Sequence, residues 1–143
     1  MNRSTAGFLG GVIAGFIKLL IDQLAIAINL SYSSVTDVIS QILFIQGGIY
    51  FFISWIIYIL FSGLMGFIIS KIITKILVNF LYWGTIAGIT IWALTSGIFA
   101  LLGKVDPTWS MGLSTGLVNF FSDIVLGIVI TYTISLSIPE ETY

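Results

Sequence analysis

One stretch near the start of the chain decides the fold. Residues 5–29 read TAGFLGGVIAGFIKLLIDQLAIAIN, which is apolar on every face and carries two charged side chains, Lys18 and Asp22. A helix of about 20 mainly apolar residues is long enough to cross the roughly 30 Å hydrocarbon core of a bilayer. The stretch shows no alternation of polar and apolar residues, so it resembles a helix and not a strand of a barrel. It therefore predicts a membrane-spanning helix.

Three more stretches of the same kind follow, at about 48–70, 78–103 and 112–138. The sequence thus predicts an all-α integral membrane protein, with one transmembrane domain over residues 1–143 and four helices in an antiparallel bundle. A cleavable signal peptide is the alternative for the first stretch. Lys18 and Asp22 argue against it, because they fall where a signal core is uniformly apolar.

Composition points to the same class of protein. Hydrophobic residues make up 58% of the 143 residues and charged residues 8%, against about 45–50% and about 25% in soluble domains. So few charges cannot cover the surface of a soluble domain, and no basic excess offers itself to nucleic acid, which we exclude as a partner. The chain has no Cys and no His, so we expect no metal, no cofactor and no enzyme activity. The expected partner is the lipid bilayer.

A short amphipathic helix is predicted at about 35–45, between the first two spans. Ser34 and Asp37 have the spacing of a capping box. Apolar and polar residues then alternate at helical spacing, which predicts one face of Val35, Val38, Ile39 and Ile42 and an opposite face of Thr36, Asp37, Ser40 and Gln41. Such a helix is expected to lie in the membrane interface.

Positive charges near the span ends predict the orientation. Arg3, Lys71 and Lys75 fall on one side and Lys104 on the other, which favours a multi-pass protein of the cell membrane with both termini in the cytoplasm. The predicted connections are a basic turn at 71–77 and a loop at 104–109. Pro139 is expected to stop the fourth span.

Glycine spacing predicts how the helices pack, because membrane helices associate through small residues. The candidate packing residues are Gly7, Gly11 and Gly15 in the first span, Gly84 and Gly88 in the third, and Gly112 and Gly116 in the fourth. Packing within the bundle is the first interpretation and homodimerisation the second. GVIAG at 11–15 also matches GTIAG at 84–88, which suggests two hairpins of similar construction.

One polar cluster is the candidate functional site. Lys18 and Asp22 are four residues apart and so share a helix face. At about 1.5 Å per residue, Lys18 and Asp123 both lie roughly 16 Å below the outer helix ends, and Asp22 and Asn119 both lie roughly 10 Å below them. Antiparallel first and fourth spans would bring the four residues together as a ladder, which Gln23, Ser114 and Ser122 could extend.

Two roles follow for this cluster. One ammonium and two carboxylates carry a formal net charge of −1, and such a group could relay protons or receive a cation. Alternatively, the cluster locks the first helix onto the fourth and sets their register.

Residues 1–15, MNRSTAGFLGGVIAG, and the segment 114–133 resemble a group of small, uncharacterised bacterial membrane proteins with four spans. The resemblance concerns the layout of most of the chain and implies the same architecture, with no residue role carried over. We expect a structural or accessory membrane subunit, alone, as a homo-oligomer or with another membrane subunit. The alternative is an ion- or proton-coupled carrier or channel that uses the charged cluster.

Overall fold

The computed structural model describes residues 2–44, 47–73, 79–103 and 106–137. In those ranges the chain is helical and contains no strand. The elements, in chain order, are α1 (Arg3–Ala27), α2 (Val35–Ile42), α3 (Ile49–Ile72), α4 (Phe80–Leu102), a short 3-10 turn (Thr108–Met111) and α5 (Leu113–Ser135).

Four of these helices are long and apolar enough to cross a membrane: α1, α4 and α5 over their whole length, and α3 from Phe51 to Ile72. The all-helical architecture with four candidate spans is confirmed. The fourth span ends three residues earlier than predicted. Pro139 and the acidic residues after it lie outside the described residues, as do Lys75 and Lys104 of the predicted turn and loop.

Helix α2 forms where the capping box predicts it. The backbone N–H of Ser34 donates to the Asp37 carboxylate at 2.7 Å. The prediction of its polar face is wrong for two residues, because α2 packs against α3. Thr36 is fully buried, and the hydroxyls of Ser40 and Ser54 are hydrogen-bonded at 2.7 Å.

The four long helices pack in the order α3, α1, α5, α4. Helix α1 contacts both α3 and α5, and α5 contacts α4, whereas α3 and α4 make little direct contact. Helix α2 packs on α3, and the 3-10 turn packs on α5. The structure therefore has one open side, between α3 and α4.

Glycines bring α1 and α3 into backbone contact. A Cβ on Gly7 would collide with the carbonyl of Gly66, and one on Gly11 would collide with the carbonyl of Ser62. A Cβ on Gly15 would meet the Ser62 hydroxyl. The contacted residue numbers fall along α3 as they rise along α1. Gly10 faces the other way, toward Thr133 of α5.

Helices α4 and α5 approach each other in the same manner. A Cβ on Gly88 would collide with the carbonyl of Asp123, and one on Gly84 would lie 2.6 Å from the Cα of Ile128. From the other helix, Gly127 abuts the backbone of Gly84 and Gly88. Gly127 was not singled out in the sequence because it has no glycine partner at four-residue spacing.

The two hairpins have equivalent contacts. Gly11 meets the carbonyl of Ser62 and the Cα of Gly63, and Gly88, 77 positions later, meets the carbonyl of Asp123 and the Cα of Ile124. The α5 residues stand 61 positions after their α3 counterparts. Gly66 likewise corresponds to Gly127, and each abuts two glycines of the opposite helix.

The alignment of the two hairpins by their contacts differs from the alignment by the matching sequences GVIAG and GTIAG. The contacts pair Gly11 with Gly88, whereas GVIAG and GTIAG pair Gly11 with Gly84, about one helical turn away. Glycines repeat every four residues in both helices, so the sequence alone allows either alignment. The partner helices decide between them.

Gly112 is not a packing residue, contrary to prediction. Its φ of +112° is one that other residues rarely adopt, and a Cβ there would meet nothing within 4 Å. It turns the chain into α5. Gly116 is buried in α5.

Candidate functional site

Lys18 lies at the centre of a buried ion cluster between α1 and α5. Its ammonium is 3.1 Å from Oδ2 of Asp22 and 3.5 Å from Oδ1 of Asp123. It also donates to the hydroxyl of Ser122 at 2.7 Å. Three side-chain oxygen partners from two helices therefore surround one ammonium.

The helices place these groups for simple reasons. Asp22 follows Lys18 by one helical turn, so the two side chains share the face of α1 that meets α5. Ser122 and Asp123 are adjacent on α5, and the Asp123 carbonyl packs directly on Gly88 of α4. The small residue in α4 therefore lets α5 approach closely and fixes the height of Asp123.

The Asn119 amide does not hydrogen-bond to Asp22, although their depths match. Its amide donates to the carbonyl of Thr115 at 3.0 Å, within its own helix. The hydroxyl of Thr115 accepts instead from the backbone N–H of Tyr32 at 3.1 Å. Above the ion cluster, α5 is thus tied to the segment after α1, and the Ser114 hydroxyl adds a hydrogen bond to the Leu30 carbonyl.

All four members of the ion cluster, Lys18, Asp22, Ser122 and Asp123, are buried. Lys18, Asp22 and Ser122 are each 1% exposed, and Asp123 is 5% exposed. Their formal charges sum to −1. A charged side chain in the middle of a membrane span costs about 2.5–3.5 kcal/mol on insertion scales, so the pairing offsets a cost that each charge would incur alone.

A small cavity of about 10 Å³ touches the cluster on the side of α3 and α4. Its lining includes Lys18, Asp123 and Asn119 together with Tyr58 of α3 and Trp92 and Thr95 of α4. A volume of about 10 Å³ is just enough to hold one water molecule. The structure thus brings Lys18, Asn119 and Asp123 to one cavity, with Asp22 behind the ammonium.

A second cavity of about 200 Å³ adjoins the first. The two share Val35 of α2, Tyr58, Thr95 and Phe99. The larger one lies between α3 and α4, under α2, and has an apolar lining. Sequence reasoning missed these residues, although α3 carries a signal for its inward face. Buried polar residues recur at four- and eight-residue spacing along α3, namely Ser54, Tyr58, Ser62 and Ser70.

An apolar groove of about 760 Å³ runs between α1 and α5 on their outer surface, with Ser122 in its lining. Within the described residues, no group of three or more His, Cys, Asp or Glu side chains stands close enough to hold a metal ion.

Comparisons of the chain with known protein families, curated proteins and solved structures found no match. The geometry of this cluster and its cavities is therefore the basis on which a function can be inferred.

Proposed function

We propose that the protein is a multi-pass protein of the cell membrane, with its four long helices as an antiparallel bundle, α2 in the interface and both termini in the cytoplasm. The reversed order of contacts along neighbouring helices supports the antiparallel arrangement. The Arg3 guanidinium donates to the Ile73 carbonyl, so Arg3 and Lys71 lie at the same end of the first hairpin. Positive charge at one end is what the orientation requires.

Within that frame, the protein acts as a structural or accessory membrane subunit and not as an enzyme. One observation carries this proposal: the Lys18 ammonium has oxygen partners on both α1 and α5, including a 2.7 Å hydrogen bond to Ser122. An ammonium held in this way is a lock between helices, because moving either helix would leave a charge unpaired in low dielectric.

A double-mutant cycle tests the lock. Lys18→Met, Asp123→Leu and the double variant are unfolded from mixed micelles, and the coupling between the two sites is expected to be about 0.5–3 kcal/mol, as for residues in contact. Lys18→Met should be the worse single variant, because it leaves two carboxyls without a cation. A double variant whose loss equals the sum of the two single losses, so that the coupling is near zero, would show that the cluster is not a lock.

The proposed partner is a second copy or another membrane subunit. Many large apolar side chains of α3 and α4 are exposed, which suits lipid or a neighbouring helix equally. Cross-linking in membranes followed by native mass spectrometry in detergent separates these cases. A strict monomer in both experiments would argue against the subunit role.

An ion- or proton-coupled carrier or channel is the second candidate. The formal charge of −1 and the small polar cavity beside Lys18 and Asp123 favour it. Proton flux into proteoliposomes, compared between the parent and Asp123→Asn, tests this function. Flux that depends on Asp123 would support a carrier, and equal flux in parent, variant and empty liposomes would exclude proton transport.

A further inference from the structure

The interface between α3 and α4 has a counterpart in the interface between α1 and α5. Adding 77 to a residue number in α1 gives the counterpart in α4, and subtracting 61 from a residue number in α5 gives the counterpart in α3. The interface between α1 and α5 therefore corresponds to the interface between α4 and α3. Lys18 then corresponds to Thr95, and Ser122 corresponds to Phe61. Thr95 and Phe61 both line the 200 Å³ cavity. The interface between α1 and α5 has the Lys18 ammonium bonded to the Ser122 hydroxyl. The interface between α4 and α3 has the 200 Å³ cavity at the corresponding positions.

The lining of this cavity changes from apolar in its body to charged and polar where it adjoins the small cavity. Through the shared residues Val35, Tyr58, Thr95 and Phe99 it adjoins the small cavity that Lys18, Asn119 and Asp123 line. Its body is lined by the aromatic rings of Tyr58, Phe61 and Phe99 and by aliphatic side chains of α2, α3 and α4. Aromatic rings attract cationic groups through their faces, in addition to excluding water.

Charge complementarity indicates the occupant. Lys18 balances one of the two carboxylates, and the second has no cation of its own among the described residues. A ligand with a positive head would neutralise that charge, and its apolar body would fill the aromatic cavity. Drug-sized ligands occupy about 300–1,000 Å³, so a cavity of about 200 Å³ suits a smaller molecule.

We infer that the cleft between α3 and α4 binds a small lipophilic monocation, such as an aryl-substituted quaternary ammonium, with its charged head toward Asp123 and its apolar body against Tyr58, Phe61 and Phe99. This inference does not depend on the subunit role, because a binding site there could regulate a subunit or serve a carrier.

Calorimetric titration of the protein in nanodiscs with benzyltrimethylammonium tests the site, with empty nanodiscs as the blank. Saturable binding to the parent is expected. Thr95→Phe fills the cavity and should weaken binding at least tenfold, whereas Thr90→Phe should change it less than twofold. Thr90 is the matched control because it is exposed on the same helix and bonded to the backbone of its own helix.

A second variant addresses the charge. Asp123→Asn retains the shape of the side chain and the Lys18–Asp22 pair, and we expect at least a tenfold loss of affinity for the cation. Should Thr95→Phe fail to fold, this variant decides alone. The inference is overturned if the parent shows no saturable binding above empty nanodiscs, if Thr95→Phe binds like Thr90→Phe, or if Asp123→Asn binds like the parent.

Discussion

The two interfaces between the hairpins differ in one respect that matters. Lys18 joins α1 to α5 through Ser122 and Asp123, whereas the counterpart residues Thr95 and Phe61 leave a cavity of about 200 Å³ between α4 and α3. Apolar faces gain little from each other in a membrane, because lipid tails are equally apolar. Polar contacts and close backbone approach therefore decide which helices meet.

The largest expected effect on the free energy of unfolding comes from a substitution at the interface between α1 and α5. A substitution at the counterpart position between α3 and α4 is expected to have little effect. Lys18→Met leaves two buried carboxyls without a cation and should lower the free energy of unfolding by about 3–5 kcal/mol. Thr95→Met at the counterpart position projects into open space and should change it by about 1 kcal/mol or less. Unfolding from mixed micelles measures both. Equal losses would show that the two interfaces are not different in kind.

A smaller effect tests whether the hairpins are equivalent. Gly11→Ala and Gly88→Ala each place a Cβ against a backbone carbonyl, and each should cost about 1–3 kcal/mol of unfolding free energy.

Gly97→Ala is the matched control, since a Cβ there meets nothing within 4 Å. It should stabilise the protein by about 0.5–1 kcal/mol, because alanine suits a helix interior better than glycine. A large loss at Gly11 with none at Gly88 would contradict the equivalence of the hairpins.

The smallest expected effect concerns α2, which contributes Val35 and Ile39 to the lining of the 200 Å³ cavity between α3 and α4. Ser40→Ala removes the hydrogen bond to Ser54 and should lower stability by about 0.5–1.5 kcal/mol. Ser54→Ala should cost about as much, and the double variant little more than either. Hydrogen exchange over residues 35–42 should rise in all three. Exchange equal to that of the parent would mean that this hydrogen bond does not hold α2 in place.

The number of long helices and the meeting of Lys18 with Asp123 could be predicted from the sequence. Long apolar stretches fix the number of helices, and counting depth along α1 and α5 placed Lys18 opposite Asp123. The count works because the rise per residue of an α-helix is constant. The same count failed for Asp22 and Asn119, because equal depth does not set the direction of a side chain. The Asn119 amide turns to the Thr115 carbonyl instead.

The rest depends on how each helix is rotated about its axis. In α3 the serines spaced at multiples of four residues from Tyr58 mark the inward face, because Ser54, Ser62 and Ser70 are all buried. In α4, Thr90 is exposed whereas Thr95 lines the cavity, so polarity alone does not mark the face with Thr95 and Phe99. The buried position of Thr36 is not marked by the sequence of α2 either. Its inward face follows from contact with α3, which the local pattern does not contain.

Glycine contacts within the hairpins have a consequence for assembly. Gly7, Gly11 and Gly66 meet through backbone atoms alone, so these three positions add no side-chain entropy cost when α1 docks on α3. Lys18 is different, because its long, flexible side chain must be immobilised before it can bridge two helices. We therefore expect each hairpin to close early and the ion cluster to form last, as the step that fixes their mutual alignment.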